Sequence, residues 1–175
     1  MPLTPLHLGP AALIGLPLRR RLHLPTLILA SVLPDLEPLV VVVFGLRYPV
    51  HGIFHTFLAA LLAGSGLGLL MWVLERWLRG LFLTLFLEEG GGAPGLRGFV
   101  TAGVAGWGSH VLLDSPLYTD IRPLYPFTDN PLYAPWLYRW VNMFCLASLA
   151  AGILMYVYVA VRSPPQVSGL KDSAF

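Results

Sequence analysis

LILASVLPDLEPLVVVVFGL, residues 27–46, is an apolar run that carries two acids, Asp35 and Glu37, in its middle. A helical bilayer crossing takes about 20 apolar residues, so the run is long enough to span. An ionisable group at that depth is costly and normally faces a partner or a water-filled cavity. Pro34 and Pro38 flank the acids. Each removes a backbone N–H and interrupts the helical hydrogen-bond ladder. Carbonyls freed in mid-membrane persist only where protein or a polar cavity satisfies them. The stretch therefore reads as a broken transmembrane helix built around a polar site.

Two further stretches repeat the pattern. HGIFHTFLAALLAGSGLGLLMWVL (51–74) opens on His51 and His55, and FVTAGVAGWGSHVLLDSPLY (99–118) holds His110 and Asp114. The composition agrees with a membrane setting. The chain has 175 residues, 56% hydrophobic and 11% charged, with mean hydropathy +0.71, whereas a soluble domain carries roughly 25% charged residues. A net charge of +2 gives no argument for nucleic acid. Cys145 is the single cysteine, so no intrachain disulfide forms.

The expected architecture is all-α, a polytopic membrane bundle with about four transmembrane helices. The spans are 24–45, 52–74, 98–118 and 136–161, preceded by a half-depth helix over 5–17 that opens on Thr4-Pro5 as cap and first helical residue. Residues 78–88 are apolar but short, and read as an interfacial segment or one that completes the bundle. EEGGGAPG (88–95) reads as a flexible loop. Residues 1–162 form one metal-binding membrane domain, and 163–175 a polar, disordered tail. With Arg19–Arg21 inside, eight Arg and Lys residues fall inside against three outside (Arg47, Arg122 and Arg139). The C-terminus is then cytoplasmic. The loop 119–135, rich in Tyr, Phe and Pro, is external and able to act as a lid.

Depth brings the polar groups together. At 1.5 Å per residue, Asp35 lies about 16 Å and His110 about 18 Å from the inner face, with Asp114 about 6 Å further out. His51 and His55 enter from the outer side, and His7 sits near the outer end of its short helix. The helix faces agree as well. His51, His55, Ala59 and Ala63 fall at four-residue steps, as do Gly98, Ala102, Gly106, His110 and Asp114. Small residues at this spacing let membrane helices pack closely, so each ligand pair should face the interior, and Gly64 and Gly68 add another close contact.

Seven side chains are candidate metal ligands: His7, Asp35, Glu37, His51, His55, His110 and Asp114. They exceed one four-coordinate zinc and suit two or three ions sharing a carboxylate. Asp35 is the expected bridge, against the plainer role of capping the restarted helix. Glu37 is either a ligand, a base or an outer partner. His23, beside the arginines, reads as a surface residue. Asp120 and Asp129 read as loop acids that could also serve as late ligands. Clustered divalent metals activate water and stabilise charge on a phosphoryl group.

The ordered set TPLHLG, LPDLE, HGIFHT and SHVLLDSPLY…PLYPF resembles the YdjM-like membrane-bound metal-dependent hydrolases. These are similar to the zinc-dependent phospholipase C and single-strand nuclease superfamily. The resemblance covers His7 to about Phe127 and implies metal binding by His7, Asp35, His55, His110 and Asp114. Glu37 stands where the family has Asp, and Thr56 where it has Ser. His51 takes the place of an Arg, so it either binds metal or contacts phosphate. The resemblance implies a hydrolase with metals. Taken with the clustered ligands and their depth, the expected function is hydrolysis of a phosphoester, a phospholipid or lipid-linked phosphate, by two or three zinc ions, with catalytic roles for Asp35 and Glu37. Lipid is the expected partner, reached from the outer leaflet. The rivals are a metal or proton transporter and a non-catalytic scaffold with a structural metal.

Overall fold

The computed structural model describes residues 4–89 and 92–162. The tail expected over 163–175 lies outside them. All regular elements among the described residues are helices. A 3-10 turn, Thr4–His7, leads into α1 (Leu8–Leu18). Then come α2 (Leu24–Ala30), a 3-10 turn at Leu33–Asp35, and α3 (Leu36–Phe44). A third 3-10 turn, Ile53–His55, precedes α4 (Phe57–Thr84). α5 is Leu96–Asp114, and α6 is Tyr138–Arg162 after a short turn at Pro135–Leu137. Three stretches are long and apolar enough to cross a membrane: Leu24–Phe44, Phe57–Thr84 and Pro135–Arg162. α1 is a shorter apolar helix.

The first of these stretches breaks where its prolines stand. α2 ends at Ala30, Pro34 opens the 3-10 turn, and Pro38 lies in the first turn of α3. An N–H in a first turn has no helical acceptor, so a proline there removes nothing. Asp35 N–H donates to the Val32 carbonyl at 3.1 Å rather than to Ser31, which leaves the Ser31 carbonyl for another partner. The Asp35 side chain does not cap α3. α3 ends at Gly45, whose φ of 58° is the left-handed conformation that glycine adopts most easily.

α4 runs further than its sequence suggests. Residues 78–84, expected as a separate short segment, continue the helix to Thr84. Glu75, Arg76 and Arg79 are good helix formers, so the charged patch does not interrupt it. Its start is also later than expected. Thr56 caps it by accepting from Ala59 N–H at 3.0 Å, and His51 and His55 precede the helix rather than lying one turn apart on its face.

α5 is the buried centre. Its stripe Gly98, Ala102, Gly106, His110 and Asp114 is buried along the whole helix. A Cβ on Gly64 would lie 2.8 Å from the Gly103 carbonyl, and one on Gly68 2.7 Å from that of Phe99. α4 therefore packs on α5 backbone to backbone, as the four-residue spacing of small residues predicts. Gly106 meets the Leu27 carbonyl in the same way, setting α5 against α2. α6 packs on α1, where a Cβ on Gly9 would meet Leu149 N at 2.5 Å. Apolar side chains such as Val43, Phe44, Leu62, Leu154 and Val161 point outward, the surface expected of helices that face lipid.

Candidate metal centre

The site lies where the ends of α1, α2 and α5 meet the turn before α4. His110 and Asp114 occupy the last turn of α5. His110 Nδ1 lies 2.8 Å from the Ser31 carbonyl that the proline break set free. A carbonyl only accepts, so Nδ1 carries the proton and Nε2 presents a lone pair. That atom lies 3.5 Å from Asp114 Oδ2 and 3.6 Å from Asp35 Oδ1. His55 Nε2 is 3.3 Å away on the remaining side.

His55 is oriented from behind in a similar way. Its Nδ1 lies 3.3 Å from Glu37 Oε2. That carboxylate oxygen also accepts from Gly52 N–H at 2.9 Å and Phe54 N–H at 3.1 Å. The ring proton therefore points to Glu37, and Nε2 of His55 too is a lone pair. Two imidazole lone pairs thus face each other beside two carboxylates, in a pocket where His55 and His110 are fully buried. This arrangement could hold a cation at its centre. The geometry agrees: one ligand atom from each of Asp35, His55, His110 and Asp114 falls within 4.8 Å of the others. Tetrahedral zinc with bonds near 2.1 Å separates its ligand atoms by about 3.4 Å. A carbonyl or carboxylate behind each of the two histidines is the kind of support that metal-binding histidines have.

The remaining candidates surround this group. His7 Nε2 lies 3.2 Å from Asp114 Oδ1, and its ring packs against that of His110 with centroids 4.2 Å apart. Asp114 thus presents one oxygen to each of two imidazoles. His51 packs against His55, ring centroids 4.8 Å apart, and against Tyr118 at 4.3 Å. Its Nδ1 lies 2.9 Å from Asp120 Oδ1, and its backbone N–H donates to Asp120 Oδ2 at 3.1 Å. Burial opposes ionisation of Asp120, but these bonds from His51 hold its carboxyl below the usual carboxylate range. Asp120 is thus more than a loop acid: it holds the His51 ring that packs against His55 and Tyr118. Glu37, with one oxygen shared by three N–H groups, stands behind His55.

Two expectations fail outright. His23 is not a surface residue but fully buried, between Glu75 and Glu88. Glu88, read as the start of a flexible loop, is itself buried.

A family model described as YdjM inner membrane protein matches residues 3–168. The chain belongs to the YdjM family. No curated protein and no solved structure matches it. Membership agrees with the apolar helices in making this a membrane protein.

Proposed function

We propose that this YdjM-family protein is a membrane-embedded, metal-dependent hydrolase of a phosphoester carried by a lipid. The observation that carries the reading is the pair of facing lone pairs on His55 and His110, flanked by Asp35 and Asp114. These four residues would hold one zinc ion. His7 and the second oxygen of Asp114 would hold another, so that two or three ions share the site. The bridge then falls to Asp114 as much as to Asp35. Bound zinc supplies a water acidified toward neutral pH and a Lewis acid for phosphoryl oxygen. Glu37 and Asp120 act as positioning residues that set the rings of His55 and His51. Asp35 is the most open of the four ligands, with its side chain 17% exposed against 5% for Asp114. It therefore marks the side from which substrate arrives and is the best placed carboxylate to take a proton from attacking water.

The rim supports a lipid substrate. Leu36, Leu39, Ile53 and Phe54, next to Asp35 and His55, are exposed, and apolar surface there suits acyl chains better than a soluble polymer. The Arg and Lys distribution favours a cytoplasmic C-terminus, α5 as a fourth crossing, and a site in the outer half of the bilayer. Apolar Ala11, Leu27 and Ala102 pack between the two ends of the helices, which favours a hydrolase over a transport path.

The test is zinc-loaded protein in micelles, assayed for release of a phosphorylated headgroup from phospholipid. Release that vanishes in D114N supports the reading. Movement of zinc across vesicles without hydrolysis would favour a transporter, and metal without either activity a scaffold.

A further inference from the structure

The opposite end of the same helices holds a second buried cluster. His23 caps the start of α2, Glu75 sits on α4, and Glu88 follows the end of that helix. His23 Nε2 lies 3.1 Å from Glu75 Oε2 and 2.8 Å from Glu88 Oε1. The ring is held on its other sides. Its Nδ1 accepts from Thr26 N–H at 3.3 Å and lies 2.6 Å from Thr26 Oγ1, and the ring stacks on Phe99 with centroids 3.9 Å apart. The Glu88 side chain is 3% exposed and that of Glu75 11%. All four of their carboxylate oxygens are buried without a hydrogen bond among the described residues. Two buried carboxylates thus converge on one nitrogen. With both carboxylates ionised, even a protonated imidazole would leave an excess negative charge, which is costly where water is excluded. Nearby Arg19 and Arg20 are engaged elsewhere, both pairing with Glu89.

We propose that His23, Glu75 and Glu88 bind a divalent cation of the zinc or manganese type, in a site separate from the centre around His110. One ligand atom from each of the three lies within 4.8 Å of the others. One imidazole nitrogen and two carboxylate oxygens form a mixed donor set of the kind these ions accept, with a coordination position left for water. The cation would replace the proton on Nε2, and the Thr26 hydroxyl would then accept from Nδ1–H on the side away from it. The ion would tie the α1–α2 turn to the end of α4 and to the chain that leads into α5. It thereby fixes the arginine-rich ends of the bundle.

The test uses the full chain in micelles with H110A and D114N disabling the first centre, so its outcome does not depend on the hydrolase reading. After zinc loading and dialysis, this protein should retain one zinc per chain, and adding E88Q should remove it. X-ray absorption on the H110A/D114N protein needs no change at the second cluster and should show a single imidazole among the zinc ligands. Zinc content unchanged by E88Q, no zinc in the H110A/D114N protein, or a shell without imidazole would each overturn the proposal.

Discussion

The two buried clusters sit at opposite ends of the same helices and are built from different proportions of nitrogen and oxygen. Around His110, two imidazoles are locked by proton acceptors behind them, Ser31 and Glu37, so their lone pairs face each other. Around His23, a single imidazole faces two carboxylates. A proton on His23 relieves part of the strain at the second cluster. At the first cluster two imidazole nitrogens face each other 3.3 Å apart. The nitrogen-rich end therefore should hold a borderline ion such as zinc more tightly than the oxygen-rich end. Chelation should strip the His23 cluster first.

Substitution can break this contrast most strongly at the first centre. H110A should lower metal affinity there, and headgroup release with it, by more than about 100-fold, because a ligand is lost and not merely an outer partner. D35N should do the same, and isothermal titration with zinc together with the release assay would check both. Full metal content in D35N would remove Asp35 from the ligand set. Next comes E37Q. The amide still accepts backbone N–H groups but no longer holds the His55 proton by charge, so affinity should fall about 10- to 100-fold, the range for an outer partner. D120N should be the mildest, near the lower end of that range at about 10-fold. Its effect should appear in headgroup release more than in zinc binding, since it acts through His51. None of these changes should alter zinc bound at His23, and a change there would mean that the two ends are coupled.

Sidedness sharpens the comparison without touching either cluster. In a C145A background, an impermeant maleimide applied to intact cells should modify T128C, in the exposed loop after α5. It should not reach G95C, at the exposed start of that helix. The reverse pattern would place the His110 centre on the cytoplasmic side and remove the outer-leaflet route for substrate.

The grouping of Asp35, His55, His110 and Asp114 was largely legible in the sequence, because each part leaves a local mark. Prolines on both sides of two acids announce a broken helix. His110 and Asp114, one turn apart on a stripe of small residues, announce a polar pair facing inward. Depth arithmetic then brought them to one level. The start of α4 was misplaced because Thr56 and Phe57 are as compatible with a helix interior as with its cap. In the structure the Thr56 cap and the tertiary bond from Phe57 N–H to the Pro123 carbonyl mark the start. Asp120 was undervalued because its partner His51 lies 69 residues away. The second cluster was missed for the same reason. His23 sits beside three arginines and reads as surface, whereas Glu75 and Glu88 reach it only through the full length of α4. Buried pairs between distant segments carry no periodicity to read.

The most direct test of the first centre is elemental analysis of protein carrying E75Q and E88Q, purified without chelator. The second cluster then contributes nothing. At least two divalent ions per chain are expected, and H110A should reduce that number. One ion or none in the E75Q/E88Q protein, or the same content with and without His110, would contradict a shared metal centre at His7, Asp35, His55, His110 and Asp114.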